Sequence, residues 1–171
     1  DGTVDGYSAP GLLLVSARQW TDRPNTRQLA NLAAQQWWGD RVMAASASDL
    51  WLTSGLARYS EGLYVEQNAG KEGFNKALED FAVGALMYED TTPIAESRRL
   101  EVETPEFFSV VVNKGAMVFH MLRAQLGDSA FFALLKEFQS QYAGKNASIG
   151  DLEKMAEAHV VQPAASNVAV I

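Results

Sequence analysis

The sequence predicts a mainly α-helical domain with a short β element at its N-terminus. Apolar residues recur at helical spacing through most of the 171 residues, and the one apolar run of strand character, Gly11-Leu12-Leu13-Leu14-Val15-Ser16, lies near the start. Hydrophobic residues at 47% and charged residues at 20% fit a globular chain with a real core rather than a disordered one.

The elements follow in order. The run from Gly11 comes after the turn signal Pro10-Gly11 and reads as an edge strand. Pro24-Asn25-Thr26 announces a first helix, whose Leu29, Leu32, Ala33, Gln36 and Trp37 keep a helical spacing up to Gly39. Ser46 to Ser48 form a loop, and Asp49 reads as the N-cap of a second helix over 50–68, closed by Ala69-Gly70. A third helix is expected over 71–88, with Phe74, Leu78, Phe81 and Ala85 on one face, followed by an irregular loop over 89–104. Three more helices are expected, over 105–126, 129–142 and 149–158, the last capped within Ser148 to Asp151. Residues 1–160 thus read as one domain, with 1–20 forming its N-terminal β edge. Residues 161–171, with Pro163 and little periodicity, read as a tail that is disordered or truncated.

Composition excludes several functions. Fourteen Lys plus Arg against 21 Asp plus Glu give a net charge of −7, and no basic stripe with interleaved aromatics is present, so nucleic acid is not an expected partner. Cys is absent, which removes disulfides, thiolate metal sites and cysteine nucleophiles. No apolar run reaches the ~20 residues that span a bilayer. The opening Asp1-Gly2-Thr3-Val4-Asp5-Gly6 has no targeting character, and the compartment stays open, an extracytoplasmic one included.

Two motif-like stretches carry the functional signal. Asn31-Leu32-Ala33-Ala34-Gln35-Gln36-Trp37-Trp38-Gly39 is followed by Trp51-Leu52-Thr53-Ser54-Gly55-Leu56-Ala57-Arg58-Tyr59-Ser60-Glu61, with eighteen residues between Gln35 and Ser54. Val112-Asn113-Lys114-Gly115 follows downstream. Together they resemble the zinc-binding core of the alanyl aminopeptidase and leukotriene hydrolase family of gluzincins, in which H-E-x-x-H-x-W-[FW]-G precedes a W-L-x-E-G-x-A-x-Y-x-E run. The resemblance extends from Gly6 to Ala158 and implies a zincin-like, thermolysin-like catalytic-domain fold. It also suggests a piece of a longer multidomain chain.

In that family two His at i and i+4 and one Glu hold zinc, and the motif Glu deprotonates a metal-bound water. Placed on this chain, the metal-ligand positions are Asn31, Gln35 and Ser54, and the general-base position is Leu32. The transition-state tyrosine of the family's Y-x-K-G falls on Val112, and the Glu that binds a substrate amine falls near Ser8. Carboxamides are poor zinc ligands, Leu accepts no proton, and Val offers no oxyanion hydroxyl. No metal or other cofactor is therefore expected, although active relatives use zinc.

Trp38, Tyr59 and Lys114 complete the expected cleft, Lys114 through a contact in its wall. Trp51 and one of Trp37 and Trp38 are expected in the core. Arg58, Glu61 and Glu66 read as a solvated helix face. His120, on the apolar run Val118-Phe119-His120-Met121-Leu122, reads as a core or boundary histidine, and His159 has no ligand partners at helical spacing. The expected function is an inactive aminopeptidase-like domain, keeping the fold as a peptide- or protein-binding or structural module. The alternative is a zinc-dependent aminopeptidase whose ligands come from elsewhere.

Overall fold

The computed structural model describes residues 6–19, 22 and 24–160. The residues expected to form the tail, 161–171, lie outside that set, as do the first five of the N-terminal edge.

The β element is a hairpin. β1 (Gly6–Ala9) pairs antiparallel with β2 (Leu12–Val15), with Tyr7 opposite Leu14. The residues before Pro10-Gly11 are therefore also strand. Helix α1 (Thr26–Gln35) starts where Asn25 accepts a hydrogen bond from the Gln28 N–H through its side chain.

Helix α2 (Leu50–Leu86) comprises the expected pair of helices in two arms. Its two arms abut at Gly70, where φ of 67° and ψ of −168° break the helical path without a connecting loop. Asp49 stands at the N-cap of α2, as expected, but its side chain makes no capping bond there. Its Oδ1 accepts from the Ile149 N–H at 2.9 Å, tying the start of α2 to the start of the last helix.

The expected helix over 105–126 is not a regular α-helix. A short turn α3 (Pro105–Phe107), capped by Thr104, leads into a π-helical segment (Phe108–Asn113) and then into α4 (Lys114–Leu126). Such wide turns re-aim side chains and concentrate at functional sites. α5 (Asp128–Gln141) and α6 (Ile149–His159) complete the helices, and Ser148 with Asp151 forms a reciprocal capping box on α6. Periodicity did not reveal β3 (Val42–Ala44) and β4 (Lys145–Ala147), which pair in parallel.

The core lies where α2 meets α4 and α5. Leu52, Leu56, Tyr59, Phe81, Phe119, Phe131, Leu134 and Phe138 are fully buried there. Among the described residues, no helix is long and apolar enough to cross a membrane.

Candidate active-site cleft

One face of α1 and one face of α2 build the site. Residues 27, 31 and 35 recur at four-residue spacing on α1, and residues 54, 58 and 61 recur at i, i+4 and i+7 on α2. The two faces, with Val112 and Asn113 of the π-helical segment, line a cleft of about 1000 Å³. Leu32, Trp38, Tyr7, Asp40, Phe107 and Phe108 also line it.

Asn31, Gln35 and Ser54, the three positions that the resemblance equates with metal ligands, all line this cleft, and the first two bond to each other. Gln35 Nε2 donates to Asn31 Oδ1 at 2.9 Å, and Asn31 Nδ2 donates to Glu61 Oε2 at 3.5 Å. Ser54 lines the cleft beside them, and Leu32 is buried at its edge. Zinc needs imidazole, thiolate or carboxylate donors. Two carboxamides and a hydroxyl do not fit it, and among the described residues no group of three or more His, Asp or Glu converges as a metal site.

The strongest charges of the cleft come from residues read from the sequence as a solvated face, and that reading is overturned. Glu61 is buried, its side chain only 3% exposed. It accepts from Arg27 Nε at 3.0 Å and from Arg58 Nη1 at 2.6 Å. Arg58 also donates from Nε to Asn113 Oδ1 at 3.1 Å, and its guanidinium lies 4.4 Å from the centre of the Phe81 ring. Arg27 reaches outward to Asp80 at 2.8 Å. Burial opposes the charge on Arg27, but its bonds to Asp80 and Glu61 outweigh that and hold its pKa above the ordinary value. Glu66 is likewise paired, with Arg123, which also binds Asp128.

Three expected cleft residues lie elsewhere. Tyr59 is fully buried in the core, edge-on to Phe74 and Phe131, with its hydroxyl 3.4 Å from His120 Nδ1. Five residues past Ser54, it is turned to the opposite face of α2, about 100° per residue. Lys114 is half-buried but does not line the cleft; Val112 and Asn113 occupy the wall instead. Ser8 does not line it either. Its Oγ accepts from Gln36 Nε2 at 2.6 Å and donates to Asp40 at 3.4 Å, which fastens the hairpin to the end of α1.

Sequence reasoning missed Arg27 and Glu61, although their spacing from Asn31 and Ser54 placed them on the cleft faces. It also missed Gln36, whose Oε1 accepts from the Gly11 N–H at 2.8 Å. As expected, Trp51 packs in the core, while Trp38 is half-buried and Trp37 exposed. His120 sits at the core boundary, and burial, followed by the nearby Arg123 cation, pushes its pKa down. His159 bonds the Met155 carbonyl and lies 3.3 Å from Glu137.

Comparison with known proteins matches this framework. Residues 12–170 match the peptidase family M1 domain. The chain is 32% identical over 136 residues to aminopeptidase N of Lactococcus lactis subsp. lactis, covering 72% of this chain and 15% of that protein. It is 29% identical over 133 residues to human endoplasmic reticulum aminopeptidase 2, covering 74% and 14%. An M1 zinc metallopeptidase variant from Deinococcus radiodurans superposes with a TM-score of 0.74 at 25% identity, over 92% of this chain and 34% of that one. A two-domain M1 zinc metallopeptidase variant bound to L-tryptophan gives the same values. The chain thus spans about a seventh of the length of these curated relatives and a third of the solved ones. With the family match running through almost its whole length, the chain belongs to peptidase family M1.

Proposed function

We propose that this chain is a catalytically inactive M1 domain that holds a peptide, or an extended segment of a partner protein, in its cleft without cutting it. The observation that carries this reading is the hydrogen-bonded line Gln35–Asn31–Glu61. At the positions equated with ligands, Asn31 and Gln35 bond to each other and Asn31 to Glu61, and neither carboxamide nor the Ser54 hydroxyl brings a metal a negative charge. Leu32 supplies no base and Val112 no oxyanion donor. The cleft keeps what a peptide needs: roomy walls, aromatic Trp38, Phe107 and Phe108, and the carboxamides of Asn31 and Gln35. A solved relative that holds L-tryptophan is consistent with amino-acid or peptide binding in this fold.

The test is zinc content by elemental analysis of protein purified without chelators and then equilibrated with limiting zinc, alongside hydrolysis of amino-acid anilides. Near-zero occupancy and no hydrolysis are expected. About one tightly held zinc per chain, with turnover, would overturn the reading.

Family membership favours a second reading, a zinc-dependent aminopeptidase acting on peptide N-termini, because the solved relatives are zinc metallopeptidases. It requires ligands from outside Asn31, Gln35 and Ser54. The same measurement separates the two.

A further inference from the structure

Two guanidinium groups on the cleft floor keep N–H donors unspent, and those donors name a class of ligand. One buried carboxylate, Glu61, faces two guanidinium groups, Arg27 and Arg58. The only other acid on the pair among the described residues is Asp80, bound to Arg27 and 51% exposed. Water screens so exposed a partner, and its bond contributes little. Both arginines line the cleft and are about a third exposed, at 34% and 27%. Among the described residues, the Nη2 groups of both carry no hydrogen-bond partner, while Nε and Nη1 are engaged. Phe81 covers the Arg58 guanidinium, leaving its edge to make further bonds. The remaining acids of the cleft stand apart. Asp40 accepts from Gln36 and Ser8 beyond the C-terminal end of α1, and Glu103 sits on the loop before α3.

We propose that Arg27 and Arg58 form a carboxylate-binding subsite at one end of the cleft, so that the peptide it takes is anchored by a carboxylate. This rests on the peptide-binding reading above. A guanidinium N–H bonds more strongly to a carboxylate oxygen than to a neutral amide oxygen, and a cationic amine offers it no acceptor. Either the C-terminal carboxylate of a peptide or a Glu side chain supplies the group.

The experiment is calorimetric titration with trialanine, its C-terminal amide, and the amide of Ala-Glu-Ala, against the unaltered chain, Arg27→Gln and Asp80→Asn. Arg27→Gln leaves Glu61 paired with Arg58, so the fold is kept. Trialanine is expected to bind at least tenfold more tightly than its amide. Rescue by Ala-Glu-Ala amide identifies a side-chain carboxylate as sufficient, and its failure restricts the subsite to chain ends. Arg27→Gln should remove the preference and Asp80→Asn should widen it, which a merely structural role for Arg27 does not predict. Equal binding of trialanine and its amide overturns the subsite and leaves the peptide-binding cleft standing. A preference untouched by both substitutions overturns the assignment to Arg27. No binding of any of the three overturns both readings.

Discussion

Gly55 and Gly115 lie backbone against backbone where α2 crosses α4. A Cβ added to Gly55 would fall 2.7 Å from the Gly115 carbonyl carbon, and one on Gly115 would fall 2.9 Å from the Trp51 carbonyl oxygen. The two glycines belong to the two motif runs that end the cleft, so this contact sets Ser54 and Val112 on facing walls. Neither neighbour is a side chain that can swing away. Gly55→Ala should therefore destabilise the domain by about 1–3 kcal/mol or more, despite the gain in helix propensity. Thermal unfolding should fall by about 2–4 °C per kcal/mol for a domain of this size. An unchanged midpoint would mean that the helices separate freely, and the account of the crossing would be wrong.

Glu61 holds the cleft floor together, because α1, α2 and both arginines meet on its two oxygens. Glu61→Gln keeps the shape and removes the charge, leaving two guanidinium groups side by side. A loss of about 1.5–3 kcal/mol is expected, toward the lower figure because the arginines retain contact with water. Urea denaturation measures it. A midpoint equal to that of the unaltered chain would return Glu61 to the solvated face that its sequence suggests.

His120 should titrate below its ordinary value of about 6.5. Burial against Tyr59 and Phe74 disfavours its charged form first, and Arg123 adds to that, with Glu66 opposing. The folded pKa is depressed, so the stabilising contribution is fully present above about pH 6.5. Below that pH the unfolded chain takes up the proton first, and stability declines until the pH has passed the folded value. NMR titration of the ring protons gives the midpoint directly, and His120→Gln should flatten the stability profile between pH 7 and 5. A midpoint at or above 6.5 would contradict the buried placement.

Replacing Asn31 and Gln35 by His and Ser54 by Glu should create a zinc site, since the three positions converge on one cleft. About one zinc per chain is expected by elemental analysis, with tighter binding when Arg27→Ala removes a nearby cation. Adding Leu32→Glu should give at most slight hydrolysis, because Val112 still lacks the hydroxyl. A well-folded triple variant that takes up no zinc would show that the three positions have been wrongly equated with ligands.

Most of the helices and the family were legible in the chain's local patterns. Those are local properties: Asn25 caps its own helix, Ser148 and Asp151 close their own capping box, and Asn31 faces Gln35 because helical geometry puts i and i+4 together. Which helix faces meet was not legible there. Arg27 and Glu61 are 34 residues apart, and Asp49 and Ile149 are 100 apart, so no local pattern marks them as partners. Tyr59 went to the core although its motif suggested the cleft, because one turn and a half of α2 separates it from Ser54 in direction. The strands β3 and β4 are three residues each, too short to show an alternation, and they exist only because the folded chain sets them side by side. A chain's own period fixes the face a residue occupies. Whether that face meets water, core or an opposite charge is settled by long-range packing.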